Sequence, residues 1–551
     1  MATLSPLKTL EAVKSNPGPL LLIIMDGVGI GPHDDSNAVH LAHTPFLDEC
    51  KKSPLYTQLK AHGKAVGMPT DADMGNSEVG HNVLGAGRVF DQGAALVNQA
   101  IESDSLFTGA VWNQIIESTV KGKRSLHFIG LLSDGNVHSH ISHLKTMITK
   151  AAERQLQCIR VHILLDGRDV ENKSSFRYVE DLSSFLNAFN DRGYDYKIAS
   201  GGGRMTTTMD RYNADWPMVE RGWKAHVLGE GRAFSSALDA LNTFYAEDPS
   251  CNDQYLPSFV IQEDNKSIGP IEDGDGVILF NFRGDRMIEL SQAFESKDFK
   301  RFDRKRVPQV NFAGLMQYDG DLNIPSQFLV EPPKIQHTLS HYLAANKIAS
   351  FALSETQKYG HVTYFWNGNN SGYINQALED YIEIDSYNVP FDQKPDMKAF
   401  EITEKAIDLL RSKQYKFGRV NFPNGDMVGH TGSMEATIQA VETTDKCVKK
   451  LVDTVLELKG TCVILADHGN ADQMFSYKNG KKIIKTSHTL NPVPCTIIDS
   501  SKQKAHRFAA IPEPGLANVA STLCHLLGLV PPPDYEPSLL DISPYSTSTQ
   551  S

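Results

Sequence analysis

The chain is punctuated by short runs of Val, Ile and Leu that stop abruptly at ionisable residues. LLLIIMDG ends at Asp26, SLHFIGLLSDG runs toward His138, and RVHILLDGRD ends at Arg168 and Asp169. DGVILFNFRGDR reaches Arg283 and Arg286, FGRVNFPNGD reaches Asp426, and TCVILADHGN ends at Asp467 and His468. An unbroken apolar run suits a strand covered on both faces, as in a parallel sheet flanked by helices. Amphipathic stretches such as Glu435 to Leu458 and Ser235 to Tyr245 supply the crossover helices. The reading is an α/β protein, and 551 residues are too many for one ordinary domain.

In open parallel sheets ligands bind beyond the carboxyl ends of the strands, which is where these ionisable residues fall. They also sort by type. Asp26, Ser77, Asp426, His430, Asp467, His468 and His488 come from the two ends of the chain. His138, Arg168, Asp169, Arg204, Arg211, Arg283 and Arg286 come from the middle. If the first set shares one site, residues 1–91 and 333–551 form one domain and residues 92–332 are inserted into it. The expected crossings are the segment from Gly85 to Gly93 and the stretch VEPPK, where Pro332 and Pro333 stiffen the return.

Residues 71 to 81, DADMGNSEVGH, place Ser77 among polar groups with little to bury. A serine in such a setting ordinarily caps a helix, so chemistry requires partners from elsewhere. Asp426 and His430 are four apart in NGDMVGH and share a face if the segment is helical. Asp467 and His468 act together only if the chain turns there, which Gly469 permits. With His488 and Asp26 the set offers carboxylate, imidazole and hydroxyl ligands for two divalent ions. Mn²⁺, Mg²⁺, Co²⁺ and Zn²⁺ all suit such ligands. A serine hydroxyl is a weak nucleophile, and a metal can activate it without an adjacent base. Two ions can hold the attacking and leaving oxygens of a phosphoryl displacement. Gly75 and Gly80 would let the backbone approach closely, and a helix beginning after Ser77 would aim N–H groups at an anion.

The middle segment carries GGGRMTTTMDRY and FNFRGDR, whose Arg204, Arg211, Arg283 and Arg286 suit planar, bidentate recognition of phosphate or carboxylate. GGGR lacks the GxGxxG spacing of a dinucleotide loop. Asp169, beside Arg168, is placed to carry a proton, and Lys358 can bring positive charge to a transferring phosphoryl group. A net charge of −12 argues against nucleic acid or an anionic membrane as partner. Seven scattered cysteines without a CxxC indicate neither a disulfide frame nor a thiolate metal site. The apolar run from Leu20 to Met25 is too short for a signal core, and STSTQS at the end is no retention tag. The expected location is the cytoplasm.

Taken in order, MDGVGIG, PTDADMGNSEVGHNVLGAGR, GLLSDGNVHSH, DGRD, ASGGGRMTTTMDRY, NFRGDR, SETQKYGHVTYFWNG, NFPNGDMVGHTG, ADHGNAD and TSHTLNPVP resemble the cofactor-independent phosphoglycerate mutases of the alkaline phosphatase superfamily. The match runs from about Leu21 to GLANVA and DYEPSLL. It implies a discontinuous phosphatase-like domain with an inserted transferase domain, and interconversion of 3-phosphoglycerate and 2-phosphoglycerate without 2,3-bisphosphoglycerate. One metal would use Asp426, His430 and His488, the other Asp26, Ser77, Asp467 and His468, with manganese the first choice. Ser77 would accept the phosphoryl group. Arg168, Asp169, Arg204 and Arg211 would hold glycerate, with Asp169 moving the hydroxyl proton. His138, Arg283, Arg286 and Lys358 would contact the phosphoryl group or its path. Retaining glycerate and excluding water would require the arginine domain to close over the metal domain. A monomer is expected. The alternative is a metal-dependent phosphomonoester hydrolase of the same superfamily. A non-enzymatic phosphate-binding protein would not need an activated serine. Two departures stand out: Asn136 replaces a usual glycine before His138, and Thr206 and Thr207 replace a bulkier pair.

Overall fold

The computed structural model describes residues 4–10, 16–68, 70–91, 93–211, 215–318, 323–331, 335–478, 481–500 and 507–541. Pro332 and Pro333, expected to stiffen the return crossing, and the terminal STSTQS lie outside them. The chain forms two compact units, Met1–Gln92 with Lys334–Ser551, and Gly93–Pro333. Each has its own hydrophobic core.

The first unit is built on a seven-stranded sheet. Its order is Glu379–Ile384, Ser350–Glu355, Phe417–Phe422, Leu20–Met25, Thr461–Leu465, Val493–Asp499 and Tyr56–Leu59. The first five strands are parallel and the last two antiparallel to their neighbours. Leu20–Met25 lies at the centre and every residue in it is buried, as the apolar run requires. The long helix Met434–Glu457 buries one face, including Val441, Val448, Leu451 and Val455.

The second unit holds a nine-stranded sheet. Its main path runs Phe328–Val330, Asn311–Met316, Gly276–Leu279, Leu126–Leu132, Cys158–Leu165, Asp195–Gly203, Phe259–Glu263 and Arg232–Phe234. All neighbours on this path are parallel except Asp195–Gly203 with Phe259–Glu263. In both sheets the strands that matter end just before the ionisable residues: Met25 before Asp26, Leu465 before Asp467, Leu165 before Asp166, and Gly203 before Arg204.

Local chemistry decides how these ends are presented. Ser77 is the first residue of the helix Ser77–Ala86, but Asn76 caps it, extended at φ −152° and ψ 170°, its side chain accepting from the Val79 N–H at 3.1 Å. The neighbouring asparagine thus takes the ordinary task of a serine in this position. A side chain on Gly80 would sit 3.0 Å from the Asp467 carbonyl, so glycine lets the helix lie against that strand end. Asn136, at φ +56°, occupies the left-handed region, where asparagine is tolerated better than most residues. The loop carrying His138 therefore keeps a glycine-like turn without glycine. Thr206 and Thr207 spend their hydroxyls on the Leu256 carbonyl and the Ser258 hydroxyl, at 2.6 and 2.7 Å.

Replacing Asn76 with Ala should lower the stability of the first unit by about 1 kcal/mol. A urea titration followed by circular dichroism will show it as a lower midpoint.

Candidate functional site

The first unit gathers Asp26, Ser77, Asp426, His430, Asp467, His468, His488 and Lys358 at the carboxyl ends of its central strands, all of them buried. Asp426 lies in the one-turn helix Asn424–Gly429, and the His430 N–H bonds back to the Asp426 carbonyl at 3.0 Å. This puts their side chains on one face: His430 Nε2 is 2.9 Å from Asp426 Oδ1. His488 Nε2 reaches the same oxygen at 3.2 Å and lies 3.0 Å from His430 Nε2. The opposite ring nitrogens face backbone carbonyls, His430 Nδ1 that of Thr486 and His488 Nδ1 that of Gly75. A carbonyl can only accept, so each Nδ1 carries a proton and each Nε2 is the nitrogen turned to the Asp426 carboxylate. Two imidazoles and a carboxylate thus converge on one point, as ligands of a cation do.

A second group surrounds Ser77. Its Oγ is 3.2 Å from Asp26 Oδ1 and 2.9 Å from His468 Nε2. His468 Nε2 is 3.4 Å from Asp26 Oδ1 and 3.7 Å from Asp467 Oδ2. Asp467 Oδ2 accepts no hydrogen bond among the described residues, although it is fully buried. Lys358, on the short helix Thr356–Gly360, places its ammonium 2.9 Å from Asp26 and 2.8 Å from Asp426 and donates to Ser77 Oγ. The sequence expects Lys358 to bring positive charge to the transferring phosphoryl group, and the fold places it inside the carboxylate cluster.

Charge makes the case for cations. Three buried carboxylates surround Lys358 and His468, and against the effect of burial they together raise the His468 imidazole to about 9. Burial works to raise the Asp26 carboxyl, but Lys358 and the His468 hydrogen bond outweigh it and hold it below the ordinary range. Burial likewise opposes ionisation of Asp426, and His430 and Lys358 prevail there. Asp467 is pushed up by burial and by Asp26. Ligand atoms of Asp426, His430 and His488, of Asp26, Asp426 and His468, and of Asp26, His81 and Asp467 each lie within 4.8 Å of one another. This inventory of oxygen and imidazole donors, with one carboxylate oxygen still unsatisfied, fits divalent metal ions.

Three supporting residues escape the sequence reading. His81 bonds through Nδ1 to the Ser77 carbonyl at 2.8 Å and lies 3.4 Å from Asp467. Its place one helical turn after Ser77, in SEVGH, was the available signal. Asn421 donates to Asp26 Oδ2 at 2.9 Å, and Asn470 to Asp426 Oδ1 at 3.0 Å. Both are neutral donors that orient carboxylates, a role no spacing rule reveals.

The second unit gathers His138, Arg168, Asp169, Arg204, Arg211, Arg283 and Arg286, again buried. Arg204 donates to Asp166 Oδ1 at 2.9 Å, to Asp169 Oδ2, and to His138 Nε2 at 2.6 Å. His138 therefore carries its proton on Nδ1, which lies 3.6 Å from Asp285 Oδ1. Arg283 Nε lies 3.1 Å from Asp285 Oδ1 and Arg211 Nη1 3.6 Å from Oδ2. Arg286 donates to the Met209 carbonyl at 2.7 Å. Asp285, the acid of RGDR, and Asp166, the first acid of DGRD, are the structural anions that the sequence reading passed over.

Five guanidiniums face Asp166, Asp169 and Asp285. Burial and then Arg204, Arg283, Arg286 and Arg168 hold His138 well below its ordinary pKa. Burial, followed by Arg211, Arg204 and Arg168, pushes even Arg286 below its ordinary value. Guanidiniums crowded this way suit recognition of an anion.

The profile of the Metalloenzyme superfamily matches residues 18–531. A probable 2,3-bisphosphoglycerate-independent phosphoglycerate mutase of Leptospira interrogans is 53% identical, over 95% of this chain and 97% of its own. The 2,3-bisphosphoglycerate-independent phosphoglycerate mutase of Trypanosoma brucei brucei is 50% identical, over 97% and 100%. A crystal structure of Leishmania mexicana phosphoglycerate mutase at low cobalt concentration superposes with a TM-score of 0.95 at 49% identity, covering 97% of this chain and 100% of that one.

Removing the anion at the heart of the arginine cluster with Asp285→Ala should destabilise the second unit by about 3 kcal/mol, the cost of leaving buried cations unpaired. Guanidinium denaturation of the variant beside the parent measures it.

Proposed function

Because the chain belongs to the Metalloenzyme superfamily and, within it, to the 2,3-bisphosphoglycerate-independent phosphoglycerate mutases, we propose that it interconverts 3-phosphoglycerate and 2-phosphoglycerate through a phosphoserine at Ser77. The observation that carries the serine assignment is the position of its Oγ, between Asp26 Oδ1 and His468 Nε2 and bonded to Lys358. Two divalent cations, manganese first among them, would be held by Asp426, His430 and His488 and by Asp26, Ser77, Asp467 and His468. When bound they supply the charge that makes a serine hydroxyl acidic and that neutralises phosphoryl oxygens.

The remaining chemistry belongs to the side chains. Lys358 donates to Ser77 Oγ, so its ammonium stabilises negative charge on that oxygen as the hydroxyl proton leaves. Helix Ser77–Ala86 points its first N–H groups the same way. Arg168, Arg204 and Arg211 hold the glycerate carboxylate and hydroxyls, while His138, Arg283 and Arg286 bind the phosphoryl group on its way to Ser77. Asp169 gives a proton to the glycerate oxygen that departs when Ser77 is phosphorylated and takes one from the hydroxyl that attacks afterwards. Its bond to Arg204 aims one carboxylate oxygen. Glycerate held this way returns its other hydroxyl to the phosphoserine, and one isomer becomes the other without 2,3-bisphosphoglycerate.

The middle unit serves as the transferase domain, residues 92–332, and the chain ends, 1–91 and 333–551, as the phosphatase-like domain. The protein works as a monomer in the cytoplasm, in glycolysis and gluconeogenesis. Its seven cysteines are all free, in keeping with a reducing compartment.

Incubation of manganese-loaded protein with 3-phosphoglycerate should yield 2-phosphoglycerate with little free phosphate; phosphate alone would make it a hydrolase. Ser77→Ala should abolish turnover while the chain stays folded, and mutase activity surviving in clean variant protein would remove Ser77 from the mechanism. Metal analysis should find two equivalents of Mn²⁺ in the parent and one in His488→Ala. Asp169→Asn should slow transfer at least 10-fold with both metals retained.

A further inference from the structure

Behind the arginine cluster, a continuous line of buried polar side chains crosses three neighbouring strands of the second unit. Asp275 Oδ2 is 3.1 Å from His127 Nε2, and His127 Nδ1 is 2.9 Å from His162 Nε2. His162 Nδ1 is 2.7 Å from Ser200 Oγ, which is 2.7 Å from His226 Nδ1. His226 Nε2 is 3.0 Å from Thr208 Oγ1. His127, His162 and Ser200 lie on the adjacent strands Leu126–Leu132, Cys158–Leu165 and Asp195–Gly203. None of the six residues is more than 4% exposed. Two histidines on buried strands and a third, His226, on the helical turn Lys224–Leu228 are a costly filling for a protein interior.

The line has one sense. Asp275 also accepts the Ser125 and Glu272 N–H groups at 3.0 and 2.8 Å, so it is an ionised acceptor and His127 donates to it from Nε2. His127 Nδ1 then accepts from His162 Nε2–H, and His162 Nδ1 from the Ser200 hydroxyl. Ser200 accepts from His226 Nδ1–H, and His226 Nε2 from the Thr208 hydroxyl. Every one of these donors meets an acceptor with all three imidazoles neutral, an arrangement in which each bond polarises the next. Burial lowers the basicity of all three rings, that of His226 to about 3.

The backbone is shaped to close the line. The pairing of Cys158–Leu165 with Asp195–Gly203 shifts between Val161 and His162, where Val161 faces Ile198 but His162 faces Ser200. This bulge leaves out Ala199 and turns the Ser200 hydroxyl to His162. At the far end Thr208 has φ +69°, an unfavourable conformation for a β-branched residue. Its N–H is tied to the Met218 carbonyl at 3.0 Å, and a side chain on Gly222 would collide with its hydroxyl. Thr208 stands between Arg204 and Arg211, and the next carbonyl, that of Met209, receives Arg286.

We infer that Asp275, His127, His162, Ser200 and His226 form a positioning relay that holds Thr208 in its left-handed conformation and so sets the loop bearing Arg204, Arg211 and the Met209 carbonyl. The inference rests on the proposed role of those arginines in retaining glycerate. Thr208→Val keeps the shape and removes the hydroxyl, so the loop loses its anchor while Ser77, Lys358 and the metal ligands are untouched. In manganese-loaded full-length protein it should raise KM for 3-phosphoglycerate and the ratio of free phosphate to 2-phosphoglycerate on the order of 10-fold each. Thr208→Ser should stay within about 2-fold of the parent, as it keeps the hydroxyl. Ser200→Ala, which cuts the line midway, should move both readouts in the same direction as Thr208→Val and carries the test if that variant does not fold. Long-range ¹⁵N–¹H spectra of the histidine rings at neutral pH should find the proton on Nε2 of His127 and His162 and on Nδ1 of His226. Unchanged KM and product ratio in the folded variants, or any of the three rings in the other tautomer, overturns the relay. A parent enzyme that releases only phosphate overturns the mutase reading instead, and the tautomers still decide the relay.

Discussion

Like charge gathered in the interior is the constraint on which both units are built. In the first, Asp26 and Asp426 share the Lys358 ammonium, and Asp467 is buried beside them. In the second, five arginines crowd around three aspartates. Removing a lone ion from water costs several kcal/mol even after the protein relaxes. A fold that gathers like charges has spent folding free energy on them, and ligands of the opposite sign relieve the cost. A deficit of positive charge fits metal cations, and an excess fits an anionic acid or phosphoryl group. The first cluster suits cations and the second an anion.

Rigidity comes from where these groups stand. Asp26, Asp166 and Asp467 follow strands whose residues are buried on both faces, so the backbone that carries them is fixed by the core. Neutral partners then choose the orientation of each group. Carbonyls of Gly75 and Thr486 set the tautomers of His488 and His430, and Asn421 and Asn470 steer the carboxylates of Asp26 and Asp426. Asn76 caps the helix and leaves the adjacent serine to face the cluster. Such partners carry no charge and touch no reacting atom, yet they aim the groups that do.

The histidine line in the second unit extends this principle behind the pocket. A one-residue bulge at Ala199 and a strained Thr208 are each unfavourable alone. Joined by His162, Ser200 and His226 they become one satisfied network, which makes the departure from ideal geometry intelligible. Asn136 is a milder case: the left-handed turn before His138 is kept by the residue that tolerates it best after glycine.

Much of this was legible in the sequence, because burial on both faces of a strand leaves an uninterrupted apolar run and catalytic groups must stand where such a run stops. The α/β class, the strands before Asp26, Asp166 and Asp467, the helical pairing of Asp426 with His430, and the separation of carboxylate from arginine sets all follow from local pattern. Other features depend on which strands lie side by side. His127, His162 and Ser200 are far apart in the chain and look like isolated polar residues until the sheet aligns them. Lys358 reads as a charge for the phosphoryl group, and only the fold shows that it stands between Asp26 and Asp426; Asn421, Asn470 and His81 show no purpose before their carboxylates are in place. A sequence records the periodicity of burial, which is local, whereas hydrogen bonds between distant side chains exist only after tertiary packing has chosen their partners.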